Sequence, residues 1–169
     1  MSDKTNVIAV LNLYALAVDT QRWDLFNDAF TEDVHADFGG AAVWTTLATL
    51  KRDFAAIHSP FNATQHVTTN HNVTIHGDTA HSLSYVHGRF IRQVPGGNMF
   101  ESTGWYDDRL VKTRGEWRIV HRVCRMVWWG GNPKVLETVE GIKVEHKLDS
   151  LSAEATAGRL AYLRAIAAG

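Results

Sequence analysis

Cysteine is almost absent. Cys124 is the single one in 169 residues, which excludes an internal disulfide framework and any structural zinc site built on several thiolates. A reducing, cytoplasmic setting fits. Charge of either sign is not in excess: 17 Lys and Arg stand against 18 Asp and Glu, a net charge of -1. That balance gives no electrostatic reason to expect nucleic acid or an acidic membrane surface as a partner. Long apolar runs are missing too, since none reaches the roughly 18 consecutive residues of a membrane span. The N-terminal apolar stretch is interrupted by Asn12, ends at Asp19 and has no small-residue cleavage signature behind it, so it reads as folded helix rather than a secretion signal.

Several catalytic signatures are absent as well. The sequence contains no GxGxxG and no GxxxxGK[ST], the usual backbone cradles for nucleotide phosphates, and nothing like GxSxG or HExxH. His66, His71, His76 and His81 stand five apart and therefore alternate between faces of strands and turns, so no metal site is expected. No cofactor is expected either. What is present is core material, 45 % hydrophobic and 10 % aromatic, in a length typical of one domain of roughly 100 to 200 residues. One domain over 1–169 is expected, with a core at about 5–130 and a C-terminal extension at 131–169.

Apolar residues Val7, Ile8, Leu11, Tyr14, Ala15 and Val18 recur at three- and four-residue steps, which predicts a helix from Asp3 to Val18, capped by Asp3 or Thr5. A short helix is expected at Arg22 to Phe30 with Thr20 as cap, a strand at Asp33 to Phe38, and a helix at Leu47 to His58 that Ser59-Pro60 ends. From residue 64 the period changes to two. Strands are predicted at Thr64 to Ile75, Ala80 to Val94, Met99 to Lys112 and Glu116 to Trp129, joined by Gly-containing hairpin turns. Helices first and antiparallel strands afterwards define an α+β fold. The tail carries a helical pattern from Leu151 to Ala168 that needs a partner surface: the chain's own sheet, a pocket mouth or a neighbouring subunit.

Two residues stand out chemically. Asp19 closes the first helix directly after the apolar run Ala15 to Val18, where a carboxylate is unexpected unless it caps the next segment or serves a site. His66 opens the first long strand. Strict alternation groups His71 with Val67, Val73 and Ile75 on the more apolar face and leaves His66 with Thr68, Asn70 and Asn72. A bulge near Thr69-Asn70 would flip the parity and bring His66 to the face of Val73; without one, His71 is the candidate base.

The segments Leu13-Tyr14-Ala15-Leu16-Ala17-Val18-Asp19-Thr20-Gln21-Arg22-Trp23-Asp24, Phe30-Thr31-Glu32-Asp33-Val34, Thr64-Gln65-His66, Gly104 to Thr113 and Trp117 to Arg122 occur in an order that resembles the SnoaL-like proteins. These belong to the cystatin-like α+β barrel superfamily related to nuclear transport factor 2. The similarity is greatest to the branch of scytalone dehydratase, hexachlorocyclohexane dehydrochlorinase and bile-acid dehydratase. The resemblance implies a cone-shaped α+β barrel, with N-terminal helices on a curved, mostly antiparallel sheet and an extra C-terminal helix. It also implies an Asp19–His66 catalytic pair, with Tyr14 and Arg122 in supporting roles, and a homo-oligomer, trimer or dimer. The residues themselves leave Tyr14 open as a core aromatic and Arg122 open as a structural ion pair. Asp37-Phe38 stands where scytalone dehydratase has a pocket tyrosine.

On the strand after His66, Ala80, Ser82, Ser84, Val86 and Gly88 make a small face with room for a ligand, opposite His81, Tyr85, His87 and Arg89. The expected lining is Phe38, Trp44, Val86, Gly88, Trp105, Cys124, Met126 and Trp128. Together these features predict a cofactor-independent lyase in which His66 takes a proton from carbon and a β-substituent leaves a small, aromatic or polycyclic substrate. Alternatives on the same base are a retro-aldol C–C lyase acting on lignin-derived aromatic diols, an isomerase and a polyketide cyclase. The alternative from another class is a noncatalytic binding or assembly module.

Overall fold

The computed structural model describes residues 2–139 and 146–168. The first helix, α1 (Asp3–Asp19), buries Val7, Leu11, Tyr14 and Val18 along one stripe. Its cap is Ser2, whose hydroxyl accepts the Thr5 N–H at 3.3 Å. The expected caps are otherwise occupied: the Asp3 carboxylate reaches across to Lys112 at 2.9 Å and the Trp117 indole at 3.0 Å. Thr20 donates to the Leu16 carbonyl and closes α1 rather than opening a new helix. The expected helix at 22–30 is shorter. A 3-10 turn at Trp23–Leu25 runs into α2 (Phe26–Ala29), and Phe30 already begins β1 (Phe30–Asp37). Then come β2 (Val43–Trp44) and α3 (Leu47–His58), capped by Thr46.

Four long strands follow: β3 (Ala63–His76), β4 (Thr79–Ile91), β5 (Met99–Thr113) and β6 (Glu116–Gly131). They form one six-stranded sheet in the order β2-β1-β6-β5-β4-β3. All pairs are antiparallel except β1 with β6, which is parallel because the chain returns to β1's edge only after the whole meander. The sheet is curved and mixed but not closed, so the expected barrel is an open cone with β2 and β3 at its edges. The main core fills the face that carries α1 and α3, with Phe26, Phe30, Phe54, Tyr14 and Tyr106 at its centre.

The tail pattern is not one helix. Gly158, at φ +67, separates α4 (Leu151–Thr156) from α5 (Ala161–Ala167). The partner surface is the chain's own sheet, on the far face from α1. Leu160 packs there with Leu83 and Trp105, and the Asp107 carboxylate accepts the Ala161 and Tyr162 N–H groups at 2.6 and 3.0 Å. Among the described residues, no helix is long and apolar enough to cross a membrane.

The β3 ladder against β4 shifts register between Thr69 and Asn72, which is the bulge that the histidine parity calls for. Asn70 takes the left-handed conformation there, φ 53, which Asn and Gly tolerate and branched residues do not. Asn70→Gly should therefore leave stability nearly unchanged while Asn70→Val costs about 1–2 kcal/mol, as read by urea unfolding. Equal stability of the two variants would show that the bulge does not depend on this residue.

Candidate active site

Asp19 and His66 meet where the end of α1 lies against the start of β3. The Asp19 carboxylate accepts three hydrogen bonds: from the His66 ring Nδ1 at 2.7 Å, from the His66 backbone N–H at 2.7 Å, and from the Thr64 hydroxyl at 2.9 Å. Burial alone would raise the Asp19 pKa, but the hydrogen bonds from His66 and Thr64 outweigh it and hold the carboxyl below its ordinary value. An ionised acceptor at Nδ1 assigns the ring proton to that nitrogen. The other ring nitrogen, Nε2, makes no hydrogen bond among the described residues.

The ring is enclosed, with 7 % of the side chain exposed. Phe90 meets it edge to face at 5.3 Å. Gly88 lies opposite on β4, and a Cβ there would sit 3.1 Å from the Phe90 ring and 3.4 Å from His66 Nε2. The missing side chain leaves room for the Phe90 ring that flanks the imidazole. His71 lies on the same face, because the bulge changes parity between Thr68 and His71. Its two nitrogens are engaged by Ser84 at 2.8 Å and Asn12 at 3.1 Å, so it ties β4 to α1.

Arg122 is fully buried and holds Asp108 through two hydrogen bonds of 2.8 Å. Burial opposes its charge, yet Asp108 more than compensates and keeps its pKa above the ordinary value. The guanidinium lies over the rings of Tyr14 and Tyr106, 4.2 and 4.0 Å from their centroids. Of the two roles open to Arg122, the geometry displays the ion pair. Tyr14 is 2 % exposed, packed on Phe26 and edge-on to Phe30 and Tyr106. Burial pushes its hydroxyl up to about 12, so it stays a protonated donor.

Of the expected lining, Phe38 and Trp44 are half-buried and meet at 5.8 Å, each packed on Phe54. The Trp44 indole is held by Asp53 at 2.9 Å. Val86, Gly88, Cys124 and Met126 lie on the α1 face; burial raises the Cys124 thiol to about 12, which makes it an inert wall. Two residues are corrected. Trp105 alternates with Tyr106 and therefore points to the far face, against Leu83 and Leu160. Trp128 is exposed, because a register shift on β6 next to Met126 leaves Val127 unpaired; Trp129 takes the parity that strict alternation assigns to Trp128.

His58 is not among the residues that the sequence marks for the site. It follows Phe54 by four residues and so belongs to the buried stripe of α3, a signal that the helical period carries. Its Nδ1 donates to the Phe54 carbonyl at 2.8 Å, and its ring packs on Trp23, Phe54 and Phe61. Phe90 stands beside both histidines, 6.5 Å from His58 and 5.3 Å from His66. Asp108 and Tyr106, which complete the Arg122 cluster, were not singled out either. Among the described residues, no three His, Cys, Asp or Glu side chains converge as metal ligands.

The family model of the SnoaL-like domain matches residues 1–123, and the chain belongs to that family. An uncharacterized protein of Mycobacterium tuberculosis is 27 % identical over 124 residues, covering 73 % of this chain and 84 % of its own. Among solved structures, a candidate scytalone dehydratase of Novosphingobium aromaticivorans superposes with a TM-score of 0.68 at 20 % identity, over 77 % of this chain and 91 % of that one. A type 2 hexachlorocyclohexane dehydrochlorinase gives a TM-score of 0.67 at 14 % identity, over 83 % and 91 %. These two likenesses are of fold.

Burial lowers the His58 pKa from 6.5 to about 4. Below pH 6.5 the unfolded chain takes up a proton there that the folded chain refuses until about pH 4. Stability should fall across that window, by about 3 kcal/mol from this residue. Asp19, whose pKa is lowered, contributes stability that is lost at more acidic pH. Urea unfolding at pH 7 and pH 4.5 should show a clearly smaller difference for His58→Gln than for the wild type; an unchanged difference would mean that His58 is not held neutral.

Proposed function

We propose that the protein is a cofactor-independent lyase that eliminates a β-substituent, in the carbon–oxygen case water, from a small ring-containing molecule. The observation that carries this reading is the orientation of His66: its Nδ1 is committed to Asp19, and Nε2 is left without a hydrogen bond beside Gly88. A neutral imidazole with one nitrogen anchored is a general base near neutral pH. Asp19 keeps the ring in one tautomer and stabilises the imidazolium that forms, as an aspartate does in hydrolase triads.

In the step proposed, Nε2 takes the proton from the carbon next to an activating group. The C–H electron pair becomes the new C=C bond as the carbon–oxygen bond breaks. The proton then passes from His66 to the departing hydroxide, giving water. Tyr14, protonated and backed by the Arg122 charge, is the proposed donor toward developing negative charge. Phe38 and Trp44 offer aromatic surface to a ring. The two structural relatives, a candidate dehydratase and a dehydrochlorinase, are named as elimination enzymes and support the reaction class.

The test is a cofactor-free screen of aromatic alcohols, halides and diols, followed by ultraviolet absorbance of the new double bond. With a converted substrate in hand, His66→Ala should lower turnover at least about 100-fold while its circular dichroism stays native. Asp19→Asn should also be slow, since the amide cannot stabilise an imidazolium. Turnover that survives His66→Ala would remove the base from the mechanism.

A further inference from the structure

The face of the sheet opposite Asp19 and His66 carries a concavity. Between β5, β6 and the C-terminal helices lies a cleft of about 310 Å³, at the lower end of small-molecule sites, which run to roughly 300–1,000 Å³. Trp105, Val123 and Leu160 supply its apolar wall, and Asp107, Arg125, Glu154, Arg159 and Arg164 its charges.

Most of those charges are already matched. Arg159 grips Glu154, with Nε 2.7 Å from the carboxylate. Arg125 holds Asp37 at 2.7 and 3.0 Å. Asp149, 4.0 Å from Arg125, pairs with Lys147 at 3.2 Å. The Asp107 carboxylate is taken by the two N–H groups that open α5. Arg164 is different: exposed on α5, it donates to the Gly158 carbonyl at 2.6 Å and, although Asp107 lies within its field, forms no ion pair among the described residues. A second group is also unmatched. Trp105 is 1 % exposed, yet its indole N–H has no acceptor among the described residues. Buried donors almost always have a partner in folded proteins, so an orphaned one marks a place where an acceptor belongs.

Both unmatched groups are donors and one is a cation, while the wall beside them is an indole ring with aliphatic neighbours. The complement is a negatively charged acceptor attached to a small apolar body. We infer that this cleft binds a small organic carboxylate, an aromatic or alicyclic acid, with its carboxylate accepting from Arg164 and the Trp105 indole N–H and its ring against Val123 and Leu160. A guanidinium suits a planar carboxylate better than any other side chain does. The inference is independent of the elimination chemistry, since it uses the other face of the sheet.

The experiment uses the full chain, labelled with ¹⁵N, and follows the Trp105 indole N–H during titration with benzoate. A saturable shift is expected with benzoate and none with benzyl alcohol, which has the ring without the charge. Arg164→Gln should weaken benzoate binding about tenfold, equivalent to about 1.4 kcal/mol, and His66→Ala should leave it unchanged. A Trp105 signal that ignores benzoate, or equal affinity in Arg164→Gln, would overturn the site. So would a shift that follows protein concentration without added acid, which would make the cleft a contact between copies of the chain.

Discussion

The Asp19 carboxylate ties the last turn of α1 to the first residues of β3 through three hydrogen bonds, two of them to His66 itself. Holding the backbone N–H as well as the ring fixes where the histidine begins and which way it points. The helix end delivers the acid because Val7, Leu11, Tyr14 and Val18 anchor α1 on the sheet. The strand delivers the base because the Asn70 bulge restores its parity. Remove either condition and the imidazole turns away from the α1 face, whatever its chemistry. The dyad is therefore a consequence of packing before it is a device for moving protons.

A second pair lies fully buried against Tyr14 of α1. Arg122 and Asp108 are both fully buried, so neither can relax into water if its partner is lost. Breaking such a pair typically costs about 3–5 kcal/mol, whereas keeping it contributes little net stability over an apolar substitute. Its retention makes physical sense if the position of the guanidinium matters. It lies over Tyr14 and Tyr106, each edge-on to the other at 5.7 Å, and a cation there acts on both phenols at once. His58, neutral through burial, adds no competing charge near His66.

Much of the fold was legible from periodicity alone. The helix at Leu47–His58 and the four long strands fall within a few residues of their expected limits, because each has a clean period and a Gly or Pro boundary. The openness of the sheet was not legible, since closure depends on how long strands curve rather than on any local signal. Nor was the shortness of α2, where the aromatic spacing of Trp23, Phe26 and Phe30 suits a helix but Phe30 is drawn into the parallel pairing with β6. In the site, only the family resemblance pairs Asp19 with His66. The structure supplies the distance between them, which a separation of 47 residues hides.

The misplaced tryptophans show why alternation is a local rule. Gly104 faces the β6 irregularity, and a Cβ there would fall onto the Arg125 carbonyl. A glycine inside a strand thus marks the place where the ladder skips a residue. Beyond that point every assignment of β6 side chains reverses, which moves Trp129 in and Trp128 out. Trp105 follows from the same sheet geometry, for Gly104 and Tyr106 both point to the α1 face and leave it no choice. Its indole then lies beneath the C-terminal segment, where the neighbouring Asp107 accepts from the N–H groups that open α5. One short run of β5 thereby serves both faces: Tyr106 and Asp108 engage Arg122 on the α1 face, while Trp105 and Asp107 hold the tail and shape the cleft beneath it.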